Sequence, residues 1–356
     1  GQRLAKTGGK PRFGGEKAGR AVARRRGGNG KLKRMYFSGI NQKNPGFSGY
    51  KKMTGRYCGR ARERFWEIDF LRGLCVSLMI VDHLIFCLYD ILPFLNEMFG
   101  TNIFAGAEQI GRWYWTWDLR ILVRQVVITA FFLLCGVSCT LTRGNFRRGI
   151  LLGIVAAGIT AVTYVVENNF GLQGATVLFG VIHMIAAGVF LYAFIDNAAV
   201  AVGDVLGQGK AARIARAALR FLPAIIGVGF LVWYFTQCSY VTYTNGIWHI
   251  HKTVPAKGST GENMFLSLFV YVDGFNFSRY SGDYFPVLPF AALILVGGAI
   301  GRLIYHSSAK YALSPLDGAW NSGVCFIGRH AAFVYVAHMV VIPVALFLSA
   351  WVASLF

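Results

Sequence analysis

The segment from Trp66 to His83 constrains the fold of this chain most, because it is an apolar, helix-forming run that carries five ionisable side chains. Such groups cost free energy in lipid, so a helix that carries them must turn them toward protein or water. At about 100° per residue, Arg72 and His83 fall on one face of this helix, with a rise of about 16 Å between them. Asp69 and Asp90 are predicted to lie near the same line. We therefore predict one polar face directed into a helix bundle or a water-filled cavity.

The composition of the chain indicates a membrane protein. Hydrophobic residues make up 55% of the sequence and charged residues only 15%, which excludes an ordinary soluble domain. We predict an all-α integral membrane protein in which residues 65–356 form a single bundle of about seven transmembrane helices. Each predicted span is close to the roughly 20 residues that cross a bilayer. The seven spans are 66–93, 122–142, 149–166, 174–195, 217–236, 284–305 and 331–355.

Most of the formal net charge of +20 comes from residues 1–64, which are rich in Gly, Lys and Arg. We expect this region to be a disordered polybasic tail that attracts anionic membrane lipid. Nucleic acid is not the expected partner, because no folded nucleic-acid module accompanies the tail. The chain begins without a methionine, and we expect that part of the tail is upstream or cloning-derived sequence.

The basic residues between later spans fall on the same side of the predicted bundle as the tail. They occupy the connections around 143–148, 210–220 and 302–329. The positive-inside rule therefore predicts a cytoplasmic N-terminus and, with seven spans, an outer C-terminus. On the outer side, the connection 237–283 is the longest, and its apolar run Met264–Val272 is too short to span, so we predict an outer lid or a re-entrant segment.

Cysteine and histidine spacing gives no metal-binding pattern, and no metal is predicted. The seven cysteines show no paired spacing and are expected to pack as small apolar side chains. His249 and His251 form a pair without a third ligand, which is a weak metal candidate.

Six separated motifs combine polar and glycine residues with apolar ones. In chain order they are Glu67-Ile68-Asp69-Phe70-Leu71-Arg72-Gly73, Met79–His83, Phe179-Gly180-Val181-Ile182-His183, Asp283-Tyr284-Phe285-Pro286-Val287-Leu288-Pro289, Gly328-Arg329-His330 and Tyr335-Val336-Ala337-His338. Together they resemble the heparan-alpha-glucosaminide N-acetyltransferase-like catalytic domain family. The resemblance covers roughly residues 65–345. The spacing from Arg72 to His83 is also similar to that of the wider membrane acyltransferase group. The chain departs from the family at His338-Met339-Val340, where related sequences commonly read His-Gln-Pro.

The resemblance implies transfer of an acetyl group from cytoplasmic acetyl-CoA to a sugar or glycan acceptor across the membrane, with an intramembrane histidine as the catalytic group. A histidine is the usual base for deprotonating an attacking amine or hydroxyl, and His83 could also carry the acetyl group itself. Asp82 is predicted to join His83 in catalysis. Neighbours in a helix point about 100° apart, so we expect the partner of His83 on another helix, either His183 or His338. We predict that both His183 and His338 take part in binding the substrate, with His183 midway along its span. A buried structural histidine is the alternative for both.

Cationic and aromatic side chains supply the remaining candidates. Five arginines could bind the phosphates of CoA, namely Arg72, Arg143, Arg147, Arg148 and Arg329. A structural pair of Arg72 with Asp69 or Glu67, and topogenic charge for the others, are the alternatives. On the outer side, Trp115 and Tyr284 could stack on a sugar, although interfacial anchoring explains them equally well.

A proton-coupled transporter is the alternative function, with Asp82, His83 and His183 as a proton relay. The odd number of spans and the lack of a detectable repeat favour the acyltransferase. The short outer segments favour a bacterial plasma-membrane enzyme over a lysosomal one. The sequence leaves open the identity of the acceptor, N- or O-acylation, an acyl-histidine intermediate and a homodimer.

Overall fold

The computed structural model describes residues 65–171, 176–237, 240–244, 247–251, 253–272 and 283–356 as a helical bundle with one short hairpin. The predicted polybasic tail lies outside these residues. The long helices are α1 (Trp66–Phe86), α4 (Asp118–Leu141), α5 (Asn145–Phe170), α6 (Val181–Val205), α8 (Leu222–Gln237), α10 (Val287–Tyr305) and α12 (Ala331–Ala353). The shorter ones are α2 (Leu92–Phe99), α3 (Ala107–Thr116), α7 (Lys210–Leu219), α9 (Thr260–Phe269) and α11 (Ser322–Arg329).

Six helical stretches of the described residues are long and apolar enough to cross a membrane. A seventh arises if α7 and α8, which meet at a bend of 50°, count as one span. This confirms the predicted all-α membrane bundle. The predicted span 217–236 corresponds to this bent pair, in which the apolar helix begins at Leu222.

The first span is a continuous stretch from Trp66 to Phe99 that contains a π-helical turn at Cys87–Ile91. A π turn holds an extra residue compared with an α turn, so it rotates the side chains that follow. The predicted alignment of Asp90 with Arg72 assumed α-helical geometry throughout and is therefore wrong. Asp90 is exposed.

Glycines allow the helices around the first span to approach at backbone distance. A Cβ on Gly328 of α11 would collide with the main-chain oxygen of Asp69, and a Cβ on Gly73 would collide with that of Val324. Gly136 of α4 and Gly297 of α10 meet another backbone in the same way. This close packing fixes α1 against α11, and α4 against α10, so side chains between these helices have defined positions.

Two extended segments enter the bundle just before α6 and α10. The first, residues 176–180, runs back along α5: Thr176 N–H donates to Glu167 at 2.7 Å, and Val177 N–H donates to Thr163 Oγ1 at 3.0 Å. The second meets it where Phe285 N–H donates to the Phe179 carbonyl at 3.1 Å. Non-helical backbone is tolerated at membrane depth where protein or enclosed water satisfies it. The span predicted at 174–195 therefore starts too early.

The long connection between α8 and α10 contains a hairpin and a short helix among its described residues. Strand β1 (Tyr240–Thr244) pairs antiparallel with β2 (Ile247–His251), which holds His249 and His251. Helix α9 has 10 residues, too few to cross a bilayer. The Tyr284 hydroxyl donates to the Ser267 carbonyl and thereby joins α9 to the start of α10. The rest of the predicted lid lies outside the described residues.

Candidate functional site

Near one end of the polar face of α1, Arg72 contacts neighbouring helices. Its guanidinium donates to Ser138 Oγ on α4 and lies 3.6 Å from a carboxylate oxygen of Asp69. Arg329 of α11 lies 3.5 Å from the other oxygen of Asp69. The opposite face of α1 is exposed at Leu71, Leu74, Leu78 and Val81. The ionisable face of α1 is therefore directed into the bundle at this end, as its spacing predicted.

Further along the same helix, His83 meets His338 of α12. Their rings lie edge to face with centroids 5.1 Å apart. His338 Nδ1 is 3.3 Å from the Val334 carbonyl, an acceptor, so this hydrogen bond requires a proton on Nδ1 and leaves Nε2 as a lone-pair base. His83 Nε2 lies 3.8 Å from the sulfur of Cys87. His83 Nδ1 is buried without a hydrogen-bond partner among the described residues. The two rings thus form a pair with an unused nitrogen on His83.

Asp283 and Tyr335 extend this pair toward the two extended segments. The Tyr335 ring lies 5.2 Å from His338, and its hydroxyl donates to Asp283 Oδ2 at 3.2 Å. The same oxygen accepts from the Val181 N–H, at the first turn of α6, at 3.1 Å. Burial raises the pKa of Asp283, opposed by these two hydrogen bonds and by Arg124. Sequence analysis noted Asp283 and Tyr335 only as motif members, because their contacts form between distant segments.

Asp82 is directed to Arg120 rather than to His83. Arg120 is 7% exposed and donates to both carboxylate oxygens of Asp82, at 2.8 and 3.1 Å. Tyr114 donates to the same carboxylate at 3.3 Å. No hydrogen bond among the described residues joins Asp82 to the His83 imidazole. Arg120 was not predicted as a site residue, because the predicted span began at residue 122, after this arginine. The signal available in the sequence was an arginine immediately before a long apolar run.

Trp115 belongs to a stack of aromatic rings that reaches His83. Its ring carries the Arg120 guanidinium 3.6 Å above it and lies 5.4 Å from Phe86. Phe86 in turn stacks on His83 with centroids 6.1 Å apart. Trp115 therefore supports the imidazole through Phe86. Tyr89 also stacks on Trp115, with ring centroids 5.8 Å apart.

His183 occupies a different place from the one predicted. It is the third residue of α6, and is not midway along a span. Its Nε2 is 2.9 Å from Thr160 Oγ1, and its Nδ1 accepts the Gly180 N–H at 3.3 Å, so the ring caps the helix. It lines a cavity of 670 Å³ between α5 and α6. His83 is not among the residues that line this cavity.

Four predicted site residues remain, and they do not all lie in one place. Arg143 lines a second cavity, of 330 Å³, where α4, α5, α6 and α10 meet. Arg147 is exposed and Arg148 half-buried on the first turn of α5. Tyr284 is a structural anchor for α9 in this geometry. The described residues contain no group of three His, Cys, Asp or Glu side chains that could hold a metal.

The family comparison decides the class of this protein. The family model described as heparan-alpha-glucosaminide N-acetyltransferase, catalytic, matches residues 64–340. The chain belongs to this family. Membership makes the bundle a membrane acetyltransferase-like catalytic domain, and it confirms the resemblance inferred from the motifs. Comparison with curated proteins gave no significant match, and neither did comparison with solved structures.

Proposed function

We propose that this protein transfers an acetyl group from cytoplasmic acetyl-CoA to an amine or hydroxyl of an extracytoplasmic sugar or glycan. The observation that carries this proposal is the pair formed by His83 and His338 inside a membrane bundle of the acetyltransferase family. Acyl transfer from a thioester needs a group that accepts and returns a proton, and imidazole does so near neutral pH.

The two rings would act as a unit that holds one proton. Two positive charges about 5 Å apart repel by roughly 3 kcal/mol at an effective dielectric constant of about 20. Once one ring is protonated, the pair would therefore resist a second proton. His338 has its Nδ1 engaged with a carbonyl, whereas His83 Nδ1 is unused. We assign His83 as the group that meets the reactants and His338 as its partner.

In the direct reaction, the acceptor nitrogen or oxygen attacks the thioester carbonyl of acetyl-CoA while His83 removes its proton. A carbon–nitrogen or carbon–oxygen bond forms, the carbon–sulfur bond breaks, and the proton passes from His83 to the departing CoA sulfur. In the two-step alternative, an unprotonated nitrogen of His83 attacks the thioester carbonyl, the carbon–sulfur bond breaks, and CoA leaves as its thiol with the imidazole proton. The acceptor then attacks the acetyl-histidine, takes the acetyl group and returns its own proton to the imidazole. Both routes use the same imidazole.

We propose that Asp82 and Trp115 are positioning residues. Arg120 holds both of them, and Trp115 reaches His83 through Phe86. Tyr335 and Asp283 would orient His338 from the other side, next to the extended segments where an outer acceptor could enter. In this proposal the end of the bundle with Arg72 and Arg143 is cytoplasmic, as in the positive-inside assignment, and the host membrane is the bacterial plasma membrane.

An assay with radiolabelled acetyl-CoA tests the proposal. Purified full-length protein in nanodiscs would be incubated with [¹⁴C-acetyl]-CoA and a panel of glucosaminides and neutral sugars. We expect label on an acceptor and free CoA thiol in equal amount. A proton-coupled transporter would leave the thioester intact, and that result with every acceptor would overturn the proposal.

A further inference from the structure

The cavity near Arg143 is built from four helices at the end of the bundle where α4 ends and α5 begins. Its volume is 330 Å³, at the low end of the roughly 300–1,000 Å³ of small-molecule sites. The lining residues include Arg143, Asn145, Asp196, Arg302 and His306. It is thus a polar recess at one end of the bundle.

Asn145 supplies an unused hydrogen-bond acceptor in the lining of this cavity. The residue is 9% exposed, and its side-chain nitrogen donates to the carbonyls of Cys139 and Thr142 at 2.8 and 3.1 Å. Its side-chain oxygen is buried without a partner among the described residues. A buried acceptor left unsatisfied costs free energy, so a ligand with an N–H or O–H donor would be stabilised here.

Cationic groups surround the same recess. Arg302 is fixed by Asp196 and by the Tyr192 hydroxyl, so its guanidinium is held in place. Arg143 is exposed and has no ion-pair partner among the described residues. The first turn of α5 begins here with no side chain capping its N–H groups. Free arginine donors and an uncapped helix start both favour phosphate.

The other cationic site at this end differs in its charge balance. There Arg72 and Arg329 share the carboxylate of Asp69, and Arg72 also donates to Ser138. Arg72 and Arg329 thus share a single carboxylate partner, whereas Arg143 has no ion-pair partner among the described residues. The recess at Arg143 is therefore better suited to a new anion.

We propose that this recess binds the 3′-phosphoadenosine end of the acyl donor, with phosphate at Arg143 and the start of α5 and the adenine amino group at Asn145 Oδ1. The inference rests on the proposed function, because it gives acetyl-CoA its nucleotide site. The proposed site predicts that a 3′-phosphoadenosine nucleotide binds without the rest of CoA, since the recess has the volume for the nucleotide and not for the whole acyl donor.

Binding to full-length protein in phosphatidylcholine nanodiscs tests this site. The probes are CoA, dephospho-CoA and adenosine 3′,5′-bisphosphate, measured by isothermal titration calorimetry. We expect Arg143→Gln to weaken CoA and the bisphosphate about tenfold, as loss of one charged hydrogen bond does, and to affect dephospho-CoA less. Arg213→Gln is the matched control, because Arg213 is exposed on α7 and does not line the recess. Asn145→Leu should weaken all three probes that carry adenine.

Three outcomes would overturn the inference. Equal CoA affinity in Arg143→Gln and Arg213→Gln, with acetyl transfer intact, would place the nucleotide elsewhere while the proposed function stands. Loss of CoA binding in phosphatidylglycerol nanodiscs would make the recess a lipid-headgroup site. Failure of the unaltered protein to bind CoA at all would remove the proposed function together with this site.

Discussion

The surroundings of His83 and of His183 show how differently one residue type is used in the same bundle. His183 has both ring nitrogens engaged, by Thr160 and by the Gly180 N–H, and it closes the start of α6. His83 has a buried nitrogen without a described partner and a second imidazole 5.1 Å away. A satisfied ring stabilises structure, whereas an unsatisfied one in a bundle interior retains capacity for chemistry. The comparison makes the two regions separable by mutation.

The largest expected effect is on acetyl transfer by His83→Ala. Loss of a general base costs about 10²–10⁴ in rate, and loss of an acyl carrier costs more, so we expect activity to fall at least a hundredfold. CoA affinity, measured by calorimetry, should stay within about threefold because the proposed nucleotide recess is at the other end of the bundle. His183→Ala is the matched control. Near-normal turnover in His83→Ala would break the comparison and the catalytic assignment.

The next largest effect is expected on the free energy of unfolding, at the ion pair between Asp82 and Arg120. This pair lies in the His83 region and does not contact His183. Asp82→Asn or Arg120→Gln leaves one buried charge without its partner, and such changes cost about 3–5 kcal/mol. The double variant Asp82→Asn/Arg120→Gln should recover part of this loss. Thermal unfolding in detergent measures all three. Simple additivity of the two single effects would contradict a direct coupling of Asp82 with Arg120.

A smaller effect is expected at the other histidine. His183→Gln should lower the free energy of unfolding by about 1 kcal/mol, the usual value of a helix cap, and reduce turnover less than tenfold. Thr160→Val should behave alike, because it removes the same hydrogen bond. A hundredfold loss of turnover in His183→Gln with normal unfolding would instead place His183 in the chemistry of acetyl transfer.

The smallest effect concerns Asp283, which touches both regions through Val181 and Tyr335. Burial raises the pKa of this carboxyl, so the folded protein holds the proton more tightly than the unfolded chain. Its contribution to stability is full below the ordinary carboxyl pKa and is lost as the pH rises through the raised value. Unfolding temperatures of the unaltered protein and Asp283→Asn, compared across this range, should diverge as the pH rises. If the unfolding temperatures of the two proteins changed in parallel with pH, the pKa of Asp283 would not be raised by folding.

Sequence reasoning was most reliable where one helix decides the result. The apolar runs predicted the spans in the order in which the structure has them, because any segment of about 20 apolar residues must leave water. The structure has six such helices among the described residues, and a seventh span if α7 and α8 count as one. The 3.6-residue period placed Arg72, Asp69 and His83 on one face, and the structure turns the Arg72 end of that face into the bundle. The same period failed at Asp90, where a π turn changes the geometry.

What the sequence by itself determined is therefore the class of the chain, its spans and the family to which it belongs. Only the tertiary structure decided that His338 and not His183 meets His83, that Asp82 is held by Arg120, and that α6 starts inside the bundle. The physical reason is that burial of apolar residues is set by local composition, whereas the partner of a buried polar group is whichever side chain another helix brings within hydrogen-bond or ring-contact distance.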